Sequence, residues 1–388
     1  MVRDAEIAAA AGGGENPPGR LASIDALRGF AMLMIIGVDA VVIALGKCLF
    51  GDGGGWLARQ MSHPEWFGLT FYDTIFPTFL FVSGLSFPFS YARHRERGMS
   101  KSRMLLRCLR RAMVLVALGW VVNVATCGWP GFASFRYGSV LAKIGLGWFF
   151  AVVLFTCLPR IARVAACAGL IVGYAVLLNM LTAPDYPSAS SFSIEGNFIG
   201  WLDRMTMPGR LWQGTVIDGR YVGSLCEPSG LYVNFFASAT AMLGMFAGEF
   251  VRTSPAAGSA KALRLAGLAV GLVVSGLVMS SFVPVSKKLW SPSFLLVVGG
   301  YSTAMFALFY YLADVRRWRA WAFPLVVVGL NSVTIYVAKS FAEYDVVRGW
   351  VFGGAASAGL DLLLACCYLA VCWSVTYALW RRRWFLKV

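Results

Sequence analysis

FAMLMIIGVDAVVIALG, residues 30–46, is a hydrocarbon-soluble helix with one ionisable group set into it. Begun at residue 27, the run holds about 20 residues, enough at 1.5 Å per residue to cross a bilayer core of about 30 Å. Working outward, apolar stretches of similar length recur at about 27–46, 70–91, 105–125, 138–158, 161–182, 230–251, 263–284, 293–313, 321–340 and 357–380, which predicts ten spans. Composition agrees: 58% of the 388 residues are hydrophobic and only 14% charged, against about 25% charged in soluble domains. The expected fold is an all-α polytopic integral membrane helical bundle of about ten transmembrane helices. A disordered chain, a fibre, a disulfide-stapled miniprotein and a cytosolic two-domain enzyme are excluded.

The formal charge is +15, from 34 Lys+Arg against 19 Asp+Glu. With the N-terminus in the cytoplasm, 23 of the 34 basic residues fall on inner segments and 11 on outer ones or within spans, Lys143 and Lys339 among the latter. The positive-inside rule then puts both termini in the cytoplasm. The basic excess thus points to membrane lipids as partner, with no nucleic acid implied. Residues 1–20, small and Gly- and Pro-bearing, are expected to form a disordered cytoplasmic tail, without the basic and apolar regions of a signal peptide. Residues 21–388 are read as one transmembrane domain. The nine cysteines form no C-x-x-C pair and read as core thiols, with Cys127 and Cys226 the one pair placed for an outer-side bridge. No metal site is expected.

Ionisable groups near span ends carry the chemistry. Asp39 interrupts the first span about 21 Å along the helix from Asp25, and either bonds a neighbouring helix or faces a polar cavity. His63 lies in an outer loop just before the second span, in HPEWFGLTFYDTIFPTFLFVSG (63–84). Histidine titrates near neutral pH, so it is the first candidate for moving a proton. Asp73 opens the next helix on the same side and Asp39 lies at similar depth, giving a base with one or two carboxylates to orient it. The inner loop from Arg93 to Arg111 sets topology and contacts anionic lipid, or else Arg107, Arg110 and Arg111 bind phosphates of a nucleotide-like cofactor. No P-loop and no dinucleotide fingerprint is present.

RLASIDALRGF (20–30), the 63–84 stretch, FRYGSVLAKIG (135–145), VPVSKKLWSPSFLL (283–296), GLNSVTIY (329–336) and the closing RRRWFLKV together resemble the heparan-α-glucosaminide N-acetyltransferase family and its bacterial relatives. The resemblance implies an integral protein of a bacterial inner membrane. It would take acetyl-CoA from the cytosol and deliver the acetyl group to the amino group of a glucosamine on the far side, and it suggests a homodimer. The histidine of the family's H-x-x-W-x-G-L motif, its catalytic residue, carries over to His63. An asparagine of the family falls on Asp39, a departure that replaces a hydrogen-bonding group by one that accepts a proton. In CEPSG (226–230), Glu227 keeps the first acid of the family's Asp-Pro-Glu-Gly while Ser229 replaces the second, and Lys143 stands where many members have arginine.

The residues taken to hold the cofactor are Arg28, Arg107, Arg110, Arg111, Lys143 and Lys287. Lys287 and Lys288 contact cofactor or sugar, or only snorkel at the interface. The acceptor sugar is assigned to Trp66, Glu227, Trp290 and Asn331, although Asn331 also reads as interhelical glue and the tryptophans as interfacial belt. The overall reading is an acetyl-CoA-dependent amino-sugar N-acetyltransferase without a metal, with His63 as general base or acetyl carrier and Asp39 or Asp73 holding its tautomer. The rival reading is a proton-coupled sugar or lipid transporter, against which stands the lack of a repeated pattern between the two halves.

Overall fold

Hydrocarbon leaves backbone N–H and C=O groups no partners but each other, so each apolar stretch becomes a helix. The computed structural model describes residues 21–51, 53–212, 215–217, 220–353 and 357–385; the expected tail at 1–20 lies outside them. In chain order, α1 is Ala22–Phe50, α2 Gly55–Gln60, α3 Phe71–Glu96, α4 Lys101–Cys127, α5 Val140–Cys157, α6 Arg160–Met180 and α7 Phe198–Thr206. After an antiparallel hairpin of β1 Thr215–Ile217 and β2 Arg220–Val222 come α8 Leu231–Thr253, α9 Gly258–Met279, α10 Pro292–Val315, α11 Ala320–Leu330, α12 Ser332–Lys339, α13 Tyr344–Phe352 and α14 Ala358–Arg381.

Among the described residues, eight helices are long and apolar enough to cross a membrane, nine if the bent pair α11–α12 is one span. The stretch expected to span at 105–125 lies in α4, which is 27 residues long; Lys101, Arg103, Arg107, Arg110 and Arg111 make its first half polar. Outward-facing apolar side chains such as Ile161 at 85% and Leu263 at 75% exposure fit a lipid surface and would be costly in water. All nine cysteines are free; Cys127 is exposed and Cys226 buried, so the bridge considered for them does not form.

Two spans that the apolar pattern makes continuous are broken. In α1 a π turn at Met34–Val38 centres on Gly37 (φ 156°, ψ −13°), a conformation open to a residue without Cβ, and the helix restarts at Asp39. The second break is at Asn331 (φ −115°, ψ 23°), where α11 and α12 meet at 64°; Gly329 and Asn331 are both weak helix formers.

Packing depends on helices that touch backbone to backbone, as small residues allow in membranes. A Cβ on Gly84 of α3 would lie 2.0 Å from the Ala241 carbonyl of α8, and one on Gly29 of α1 1.7 Å from the Leu325 carbonyl of α11. The largest core cluster, with Trp148, Phe155, Tyr174, Trp290 and Phe294, therefore closes around α3 and α8. The loops before α3, α5, α8 and α10 meet at one end of this core. There Trp66 Nε1 donates to the Phe192 carbonyl (2.7 Å), Ser286 Oγ to the Trp66 carbonyl (2.8 Å) and the Gly68 amide to the Val285 carbonyl (2.8 Å).

Candidate active site

Asp73 is the third residue of α3, and its position is fixed by the start of that helix. One carboxylate oxygen, Oδ2, accepts the Thr70 amide (3.2 Å) and the Thr70 hydroxyl (3.1 Å), closing a capping box. The other, Oδ1, is thereby aimed at the preceding loop, where it lies 2.7 Å from His63 Nδ1. Asp73 has no exposed surface, whereas His63 is 47% exposed at the side chain. The tautomer this bond selects carries its proton on Nδ1 and leaves Nε2 an acceptor. Lys287 completes the cluster, its ammonium 3.1 Å from Asp73 Oδ1. Burial pushes Lys287 below the usual lysine range, a drift that the Asp73 charge opposes.

These groups line a cavity of about 480 Å³. Trp66 and Trp290 form part of its wall, but both are buried and bonded: Trp66 to Phe192, Trp290 through Nε1 to Thr240 Oγ1 (3.1 Å). The face of Trp290 is occupied by the Lys143 ammonium, 4.2 Å from the ring centre, so it offers no open platform to a sugar. Lys143 also lines this cavity. Lys288 donates to the Glu65 carbonyl and sits 4.7 Å over Trp212.

A second cavity of about 140 Å³ adjoins the first, and Ile35, Phe76, Val140 and Tyr336 line both. Arg28 and Arg111 face it. Arg28 is 3.4 Å from Asp25, while Arg111 lies 4.6 Å over the Trp148 ring with its buried Nε lacking a hydrogen-bond partner. Two guanidinium groups on one small cavity, one of them with an unsatisfied donor, suit an anionic ligand group.

Of the residues singled out in the sequence, the structure joins His63, Asp73, Lys287, Lys143, Trp66 and Trp290 at the larger cavity and Arg28 with Arg111 at the smaller. Arg107 and Arg110 are exposed and line neither. Asp39 reaches His63 only indirectly: its Oδ2 accepts the Tyr72 hydroxyl (2.9 Å), and the Tyr72 ring lies 5.1 Å from the imidazole. Glu227 is fully buried behind the wall, held in a two-pronged ion pair by Arg136 (2.8 and 2.7 Å), which does line the cavity. Asn331 sits buried at the α11–α12 break, both its side-chain polar atoms without partners, while its neighbours Leu330 and Ser332 line the smaller cavity. Arg136, Tyr72 and Tyr336 were missed, although each lies inside a motif that drew attention for other residues.

The fold and the site together define a polytopic helical membrane protein with a buried carboxylate, an imidazole and an ammonium on one of two adjoining cavities. Residues 20–195 match the family model "Heparan-alpha-glucosaminide N-acetyltransferase, catalytic", a segment that holds His63, Asp73, Arg28, Arg111 and Lys143. The chain is 25% identical to the human heparan-alpha-glucosaminide N-acetyltransferase over 96% of its own length, and 23% identical to the mouse protein over 95%. It spans 60% of the length of each of these relatives. The resemblance seen in the motifs thus holds along most of the chain.

Proposed function

We propose that the chain is a transmembrane N-acetyltransferase that moves an acetyl group from cytosolic acetyl-CoA to the amino group of a glucosamine-type sugar on the outer side of a bacterial inner membrane. One observation carries the reading: His63, oriented by Asp73 through Nδ1, opens onto a cavity that shares four wall residues with a second one faced by two arginines. Arg28 and Arg111 suit the anionic part of the donor, and the walls shared by the cavities, Ile35, Phe76, Val140 and Tyr336, suit its slender uncharged arm. When bound, acetyl-CoA supplies a thioester carbonyl.

An amine attacks a carbonyl only when its nitrogen lone pair is free, so the acceptor must shed a proton. His63 Nε2 takes that proton and passes it to solvent; the freed nitrogen then attacks, and as the C–N bond forms and the C–S bond breaks Nε2 takes the second proton from nitrogen and hands it to the leaving thiolate. A positioned base of this kind contributes roughly 10²–10⁴-fold. Asp73 keeps Nε2 as the accepting nitrogen. The excess of basic residues on the inner segments supports the orientation, with both termini in the cytoplasm and the His63 end outside.

The test is acetyl transfer across a sealed membrane. Proteoliposomes with radiolabelled acetyl-CoA on one side and glucosamine on the other should accumulate labelled N-acetylglucosamine on the glucosamine side. Uptake of unmodified sugar with no acetylated product would replace the reading with a transporter.

A further inference from the structure

Read from its neighbours in the chain, Lys287 contacts cofactor, sugar or interface, and the structure adds a different neighbour. Its Nζ lies 3.1 Å from Asp73 Oδ1, 3.3 Å from His63 Nδ1 and 3.4 Å from His63 Nε2. A point almost equidistant from both ring nitrogens does not lie along the Nε2 lone pair, so the ammonium acts on the imidazole chiefly through its charge. The placement is built in. The 280–291 connection is tied to the His63 loop by Ser286 donating to the Trp66 carbonyl and Gly68 donating to the Val285 carbonyl.

The cluster contains two basic groups and one carboxylate, and a single negative charge balances only one of them. The other charged and titratable groups on the cavity wall are engaged elsewhere, open to solvent or uncharged. Tyr72 is bonded to Asp39, Arg136 to Glu227 and Lys288 to the Glu65 carbonyl, Lys143 lies on Trp290, Glu65 itself is exposed, and Tyr336 is a neutral phenol. We propose that Lys287 is a positioning residue for His63: its ammonium takes up the charge of Asp73, so the carboxylate fixes the ring through Nδ1 without drawing a second proton onto Nε2.

This rests on the reading of His63 as the base of acetyl transfer. Without the ammonium, Asp73 would pair with an imidazolium and the base would be occupied before the amine arrived. With it, a proton accepted at Nε2 is repelled and quickly passed on.

The experiment compares Lys287→Met and Lys287→Arg in a His94→Gln background, which leaves His63 the sole histidine of the two in the chain. Two readouts are taken: the acid limb of kcat/KM for acetyl transfer, and the pH dependence of His63 carbethoxylation by diethyl pyrocarbonate, which needs a neutral imidazole but no enzymatic activity. Removing a positive charge favours the protonated ring, so Lys287→Met should move both curves to higher pH by about one unit, roughly tenfold in rate on the acid side, with the alkaline plateau kept. Lys287→Arg should leave both near the parent. If the Met variant does not fold, Lys287→Gln makes the same comparison. Unmoved curves in a folded neutral variant, or an Arg variant that shifts as far as the neutral one, would overturn the proposal. A parent protein that transfers no acetyl while its carbethoxylation curve still responds to Lys287 would remove the base reading and leave the charge pairing standing.

Discussion

Asp73→Asn replaces one oxygen by an amide at nearly constant shape, and both ways of placing that amide fail. With the NH₂ toward Thr70 it meets the Thr70 amide that now donates to Oδ2 at 3.2 Å, donor against donor. With the NH₂ toward His63 it donates to Nδ1 across the present 2.7 Å contact, forcing the ring proton onto Nε2 and ending its use as a base. The second placement keeps the cap bond, worth about 1 kcal/mol, and is therefore the one adopted. Lys287 loses its counter-charge at 3.1 Å, which costs about 1 kcal/mol, the low end for a charged group, because that side chain keeps 23% exposure. The variant should therefore be about 1 kcal/mol less stable and still folded. Acetyl transfer should fall by roughly 10²–10⁴-fold through the wrong tautomer. Thermal unfolding in detergent, followed by tryptophan fluorescence, reads the first effect, and radiolabelled acetyl transfer below the melting range reads the second. Activity within threefold of the parent would refute the assignment of Asp73 as the orienting group.

Arg111→Ala should weaken CoA binding about tenfold to a hundredfold, the weight of a charge-assisted bond to phosphate, whereas Arg107→Ala and Arg110→Ala, on exposed side chains, should change it far less; isothermal titration with CoA separates the three. In α7, on the connection between α6 and α8, burial raises the Asp203 carboxyl from 3.8 to about 8 while Oδ2 accepts the Glu227 amide. The folded form thus holds a proton that the unfolded form releases, and the stabilisation, complete below about pH 4, is lost as pH rises through about 8. Limited proteolysis of the 183–229 segment should accelerate between pH 6 and pH 9, and Asp203→Asn should flatten that dependence.

The spans were legible because the bilayer imposes its condition locally: each must be long and apolar whatever surrounds it. The breaks at Gly37 and Asn331 were not, since one glycine or asparagine in such a run is equally compatible with a straight helix. His63 and Asp73 stand ten residues apart across one helix start, so their meeting was within reach of local reasoning. Lys287 is 224 residues from His63, and only the assembled bundle brings it there. Depth along the first span placed Asp39 near His63, but depth does not fix azimuth, and the π turn gives Asp39 to Tyr72. Arg107, Arg110 and Arg111 look alike in a basic helix start. What separates them is the face of α4 that turns to Arg28 and Trp148, a property of packing.

The central claim is that the His63 imidazole takes the proton of the acceptor amine. The direct measurement is the pH profile of acetyl transfer to glucosamine by purified His63→Ala, beside CoA affinity in the same sample. A half-exposed loop side chain contributes little to folding, and His63 does not line the arginine cavity, so CoA affinity should stay near the parent value. Transfer at neutral pH should fall roughly 10²–10⁴-fold and recover in part at high pH, where the amine deprotonates unaided. Loss without alkaline recovery, together with an acetylated His63 peptide in the parent, would make the imidazole an acetyl carrier. Parent-like transfer at neutral pH in His63→Ala would contradict the account.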